Sequence, residues 1–169
     1  MRRPAGIPTL ALAAIALAAL AGCSNLDVRP GAQSIFEAFA PPSPEDAARM
    51  AIDPYDADAR YKGTLLLGNA SFAGEPIYLT LFRDNINDKD PGVRSASIRA
   101  LANHGTPEDV ELILPSLDDP DPAVRLEAAQ ALKRLPDHIA VEPLLVSIQA
   151  EQETDSAERA AAAEALGQY

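Results

Sequence analysis

The sequence predicts an all-α protein, an α-solenoid of about seven to eight short helices paired as hairpins. Three observations support this fold class. Apolar residues make up 47% of the 169 residues but aromatic residues only 5%, so the apolar content is mainly Ala and Leu, which favour helix. Fifteen prolines keep the helices short. A sequence pattern recurs every 31 to 34 residues, a period that is typical of solenoids.

Residues 1–22 have the features of a lipoprotein signal peptide. Arg2 and Arg3 precede an apolar run, residues 10–21, which is too short to cross a bilayer comfortably. The last residues of the run lead into the sequence LAGC, which resembles the bacterial lipobox. This resemblance implies that Cys23, the single Cys of the chain, is lipidated and becomes the mature N-terminus. The alternatives are an ordinary secretory signal with a chance Cys near its cleavage site and an uncleaved membrane anchor.

Residues 23–42 are predicted to form the lipidated Cys and a tether. Several acyl chains on one Cys anchor a protein firmly, whereas a single chain binds membranes only marginally. In proteobacterial lipoproteins an Asp after the Cys favours the inner membrane, so Ser24 slightly favours the outer membrane. We therefore expect the protein at the bacterial cell envelope, facing the periplasm or outward. Residues 34–40 either dock onto the first helix or form a loose apolar patch.

The repeat domain is predicted over residues 43–169, and it begins with a helix start. Ser43 can cap the helix, Pro44 suits its first position, and Asp46 completes a capping box. This first helix is expected to end at about Ala51.

Four arginines mark the repeat, because a Leu follows each of them seven residues later. They are Arg60, Arg94, Arg125 and Arg159. Residues 117–135 show the unit most clearly: Asp121 can cap a helix and Pro122 suits its first position. Apolar residues then recur at helical spacing and predict one buried stripe, consisting of Val124, Ala128, Ala131 and Leu132.

The segments between these arginines predict a second amphipathic helix in each unit. Val110, Ile113 and Leu117 recur 31 residues later as apolar residues. Pro115 and Pro143 fall inside two of these second helices and should kink or shorten them.

The pattern D-x-x-x-x-V-R-x-x-[AS]-x-x-A-L, from about Asp53 to Tyr169, resembles HEAT-repeat proteins. The resemblance is to the short bacterial kind shared with phycobilin-lyase-type repeats. It implies that an acid in the turn and the Arg that enters the helix form a structural ladder between adjacent repeats. The pairs are Asp88 with Arg94, Asp119 with Arg125, and Glu153 with Arg159. Arg60 is not assigned to this ladder.

The resemblance also implies that the Arg-bearing helices line the concave side, a common binding surface in solenoids. Its candidate partner-binding residues are mixed in character. They are Tyr61, Lys62, Leu65, Arg99, Leu126, Glu127, Gln130 and Lys133.

Several functional classes are disfavoured by composition and motifs. The formal net charge of −11 argues against binding nucleic-acid phosphates. His104 and His138 are the only histidines and have no Cys or tight acidic partner, so we predict no metal site; they are better placed to meet backbone carbonyls at helix ends. No nucleophile motif or phosphate loop is present, so we predict no catalysis, no cofactor and no small-molecule substrate.

Two functional hypotheses remain. The first is a lipid-anchored scaffold or adaptor that binds an unknown protein partner at the cell envelope. The second is a phycobilin-lyase-like or other enzyme-accessory HEAT protein, which the export signal opposes.

Overall fold

The computed structural model describes residues 42–149 and 156–169, and within these ranges the chain is helical without strands. It forms an α-solenoid, as predicted. The predicted signal peptide and tether, including Cys23, lie outside the described residues, as does Glu153. The described ranges contain eight α-helices: α1 (Pro44–Ala51), α2 (Ala57–Gly68), α3 (Pro76–Asn85), α4 (Pro91–His104), α5 (Val110–Ile113), α6 (Pro122–Arg134), α7 (Val141–Gln149) and α8 (Ser156–Leu166).

The helices form two layers. The Arg-bearing helices α2, α4, α6 and α8, which we call the signature helices, pack side by side in chain order. The second layer holds α1, α3, α5 and α7, together with three short 3-10 helices at Pro107–Asp109, Leu114–Asp118 and His138–Ala140. Each α-helix of the second layer packs against the signature helix that follows it. This confirms the predicted hairpin organisation.

The helix starts are fixed by short polar side chains. Ser43 and Asp46 form the predicted capping box at α1, with the Asp46 N–H donating to Ser43 Oγ at 3.2 Å. Asp56, Asp90 and Asp121 cap α2, α4 and α6 by accepting backbone N–H groups of the first turn. These aspartates satisfy donors that no helical carbonyl can reach.

The core runs between the two layers. The repeating leucines Leu67, Leu101 and Leu132 are completely buried, and Leu166 is partly buried. The stripe predicted on α6 is buried as well. Since each helix is too short to be stable alone, this shared burial is what holds the layers together.

Close helix contact requires a glycine at one position of the first hairpin. A Cβ on Gly63 of α2 would lie 2.4 Å from Ala51 N and 2.5 Å from Ala47 O, both of α1. The absence of a side chain lets α1 approach the backbone of α2 directly.

The two prolines that were expected to kink or shorten second-layer helices act differently. Pro115 lies in the 3-10 turn that replaces further α-helix after Ile113, so the expected shortening is observed there. Pro143 does not break α7, and the expectation for it was wrong. Pro143 is the third residue of α7, in the first turn, where a backbone N–H has no helical acceptor to lose.

The end of α8 is tied to an earlier turn. The backbone N–H of Asp137 donates to Tyr169 Oη at 2.8 Å, and the Tyr169 ring lies 5.7 Å from the His138 ring. This contact joins the segment after α8 to the turn after α6.

Candidate protein-binding face

Three arginines connect neighbouring signature helices through carboxylates. Arg60 donates to Asp88 from Nε at 2.7 Å and from Nη2 at 2.9 Å, in a bidentate pair. Arg94 pairs with Asp119 in the same way, at 2.8 and 2.7 Å. Each Arg therefore binds an acid that precedes or begins the next signature helix, one repeat further along the chain.

The same arginines also hold their own turns. Arg60 Nη1 donates to the backbone carbonyl of Asp53, and Arg94 Nη1 donates to that of Asp88 at 2.9 Å. Arg125 Nη1 reaches the carbonyl of Asp119 at 2.8 Å. The pairs predicted within one unit thus meet through a carbonyl, while the carboxylates pair across repeats. Arg60, which was left out of the predicted ladder, belongs to it.

The carboxylate that pairs with Arg125 was not predicted. Arg125 Nε lies 3.0 Å from Glu158 Oε2, and the Glu158 carboxylate is buried in the first turn of α8. Arg159, which was predicted to pair with Glu153, is exposed, and this pair stays a prediction because Glu153 lies outside the described residues. Glu158 takes this role because its longer side chain reaches Arg125 from inside the helix.

The ladder alters the acidity of Asp88. Burial alone would raise the pKa of Asp88, but hydrogen bonds from Arg60 and from the Asp90 N–H outweigh it and lower that pKa. The carboxylate therefore stays ionised and acts as an acceptor for both repeats.

A similar rung links the second layer and was not predicted. Arg83 of α3 donates to Asp109 at 2.6 and 3.1 Å, and Asp109 also accepts the Thr106 N–H at 2.8 Å. Burial would raise the pKa of Asp109, but these donors lower it. Thr106 and Asp109 also form a capping box. The pairing of Arg83 with Asp109, 26 residues away, depends on how α3 packs and has no local signal in the sequence.

The predicted binding residues are distributed over the signature helices, but not all are accessible. Leu65, Leu126 and Gln130 are half-buried. The exposed residues are Tyr61, Lys62, Arg99 and Lys133. Glu127 is only 4% exposed and is not a surface residue, contrary to the expectation.

Glu127 is covered by two arginines. Arg99 Nε donates to Glu127 Oε2 at 3.0 Å, and Arg99 Nη2 contacts the same oxygen. Arg134 Nη1 lies 3.7 Å from Glu127 Oε1, and this buried oxygen has no hydrogen-bond partner among the described residues. The sequence shows the charges of these residues but not that α4 and α6 bring them together.

A groove lies between α6 and α8 on this face. Its volume is about 470 Å³, and small side chains such as Ala160 and Ala161 form part of its lining. Lys133 Nζ donates to Glu164 Oε2 at 2.7 Å across it. This groove is large enough for a side chain of a binding partner.

The remaining features of the described ranges are a histidine contact and the absence of a metal-binding cluster and of a helix suited to cross a membrane. His104 Nε2 donates to the Gly68 carbonyl at 2.9 Å, which ties the end of α4 to the end of α2. Within the described ranges, no group of three or more His, Cys, Asp or Glu side chains could hold a metal ion. In the same part of the chain, no helix has the length and apolar character needed to cross a membrane.

Comparison with known proteins agrees with this architecture. Residues 79–167, more than half of the chain, match the family described as HEAT repeats. No curated protein matches the chain. The matched residues include α4, α6 and α8 with the rungs from Arg94 and Arg125. The chain therefore belongs to the HEAT-repeat family, and its paired helices form a scaffold of the type that mediates protein interactions.

Proposed function

We propose that the protein is a lipid-anchored HEAT-repeat scaffold that holds a protein partner at the bacterial cell envelope and has no catalytic activity of its own. The observation that carries the proposal is the rigid face of the signature helices. Its arginine–carboxylate pairs join α2, α4, α6 and α8, and leave other side chains exposed between them. Binding by such a preorganised surface loses little conformational entropy.

The anchoring part of the proposal rests on the sequence LAGC at residues 20–23. We expect Cys23→Ser to release the protein from the membrane without changing its melting temperature, because the lipidated residue lies outside the repeat domain. Membrane attachment is measured by fractionation with a high-salt wash, and the melting temperature by thermal unfolding, for the unsubstituted protein and for Cys23→Ser. Retention of the Cys23→Ser protein in the washed membrane pellet would contradict the prediction.

Treatment of cells with globomycin, which blocks lipoprotein signal cleavage, gives an independent test. A larger precursor should accumulate if Cys23 is processed as in lipoproteins. A soluble cytoplasmic protein of unchanged size would favour an enzyme-accessory role instead.

Partner binding is tested by photo-crosslinking in living cells. A benzoylphenylalanine at Tyr61, on the signature face, should capture a specific protein. Tyr55 is a matched control, because it is an aromatic residue of the turn before α2 and is 96% exposed. Equal capture from both positions would contradict binding by the signature face.

A further inference from the structure

We propose that the groove between α6 and α8 binds an acidic segment of a partner protein. Arg134 binds a carboxylate of this segment, and the walls of the groove bind an apolar side chain. This inference rests on the proposed function, because it names the chemistry of the partner for the same face.

The first argument is the state of Arg134. This residue ends α6, its side chain is 44% exposed, and it lines the groove. Its nearest described acid is Glu127 at 3.7 Å, which is beyond hydrogen-bond distance. A guanidinium offers five N–H donors in a planar arrangement that matches a carboxylate. Arg134 can therefore bind a carboxylate without breaking a hydrogen bond within the described residues.

The second argument is the local charge around Glu127. Its buried carboxylate is hydrogen-bonded by Arg99 and attracts Arg134, so two cations surround one anion. Since Glu127 Oε1 has no donor of its own, Arg134 is drawn toward the site while its own donors remain available. The cluster thus carries a net positive charge at the edge of the groove.

The third argument is the distribution of charge between the two layers. The second-layer elements carry two basic side chains against eight acidic ones: Arg49 and Arg83 against Glu45, Asp46, Asp84, Glu108, Asp109, Glu111, Asp118 and Glu142. On the signature helices, Arg60, Arg94 and Arg125 are neutralised by the carboxylates of the ladder. The remaining side chains there are five basic ones against three acidic ones: Lys62, Arg99, Lys133, Arg134 and Arg159 against Asp58, Glu127 and Glu164. An acidic segment is repelled by the second layer and directed to the signature face.

The groove itself supplies the apolar part of the site. Leu126, Ala160 and Ala161 contribute apolar surface, and the alanines leave room for a side chain the size of Leu. Lys133 is engaged with Glu164, so Arg134 is the charged residue of the lining best able to receive an acid. Phosphate polyanions such as nucleic acids bind rows of basic residues, which this groove does not provide. A peptide that combines an acid with an apolar residue fits it better.

Selection of a displayed library of random peptides on the full chain in detergent tests the proposal. We expect the enriched peptides to combine Asp or Glu with Leu, Ile or Phe. A synthetic copy of an enriched peptide should bind the Arg134→Gln protein about tenfold or more weakly than the unsubstituted protein, as for interface arginines in general. Ala160→Leu should also weaken binding by filling the groove, and because Ala160 is exposed this change leaves the core intact.

Arg49→Gln is the matched control, because Arg49 lies in the last turn of α1, as Arg134 does in α6, and its side chain is 77% exposed. Enrichment of basic or neutral peptides, or unchanged binding by Arg134→Gln, would overturn the inference while the proposed scaffold function could still be upheld by crosslinking from Tyr61. Failure of both the selection and the crosslinking would overturn the two together. Binding of the Cys23→Ser protein to phosphatidylglycerol vesicles that is lost with Arg134→Gln would also overturn it, by assigning Arg134 to lipid.

Discussion

At the scale of single residues, each ladder arginine holds two repeats at once. Arg94 joins the carboxylate of Asp119 to the backbone carbonyls of Asp88 and Lys89. Its planar donors suit this divided role, whereas the point charge of a Lys would not. The arginines are therefore structural residues and do not belong to the exposed binding surface.

We expect Arg94→Ala to lower the free energy of unfolding by about 3 kcal/mol, because it leaves a largely buried Asp119 without its partner. Urea unfolding measures the change. Arg159→Ala is the control, since Arg159 is exposed at the corresponding repeat position, and its effect should stay within about 0.5 kcal/mol. Equal effects of the two substitutions would contradict the structural role of Arg94.

The ladder also predicts a dependence of stability on pH. Asp88 and Asp109 have pKa values lowered by folding, so the unfolded chain takes up their protons first as the pH falls. Their contribution to the free energy of unfolding is fully present above the pKa of about 4 that these groups have in the unfolded chain. It is lost as the pH falls through their lower pKa values in the folded protein. Urea unfolding between neutral and strongly acidic pH measures this. The acid-induced loss should be smaller in Asp88→Asn, which is already destabilised at neutral pH; an identical pH profile would count against the assignment.

At the scale of elements, α8 differs from the other signature helices in how it is held. It packs on α6 and α7, and the residue that ties its end is Tyr169, whose hydroxyl accepts the Asp137 N–H. We expect Tyr169→Phe to destabilise this end by about 1 kcal/mol through the lost hydrogen bond. Hydrogen exchange should then become faster in α8 but not in α4. Unchanged exchange throughout α8 would show that the hydrogen bond to Asp137 does not stabilise this helix.

We also expect α8 to be less protected than α6 in the unsubstituted protein, since α6 has signature helices on both sides. Protection of α8 equal to that of residues 124–132 would contradict this prediction. It would show that the contacts of α8 with α6 and α7 and the bond to Asp137 protect it as well as two neighbouring signature helices protect α6.

At the scale of the whole molecule, the core is continuous along the stacked hairpins. Disruption of one helix should therefore destabilise the helices that share this core. Leu132→Asp should unfold the repeat domain cooperatively, because an unpaired buried charge costs several kcal/mol, comparable to the stability of a small domain. Leu145→Asp on α7 is the control, since Leu145 is 38% exposed and should tolerate the change. Thermal unfolding followed by circular dichroism compares them. An unchanged melting temperature for Leu132→Asp would show that Leu132 is not buried in the core, and loss of only part of the helical signal would show that the core is divided into independent parts.

Much of this architecture could be predicted from the amino-acid sequence, because its causes are local. Asp121 and Pro122 begin α6, Ser43 and Asp46 begin α1, and the repeat spacing identifies the stacked hairpins. Capping, helix propensity and hydrophobic spacing act within a few residues, so their signals survive in a linear sequence.

The pairing of charges depended instead on how the repeats stack. Arg60 meets Asp88, 28 residues away, and Arg125 meets Glu158, 33 residues away. Ion pairs of this range are decided by the relative position of two helices, to which the repeat spacing is only a coarse guide. Glu127 shows the same limit. The resemblance placed it among the accessible residues of the concave side, yet the packing of α4 on α6 buries it beneath Arg99 and Arg134.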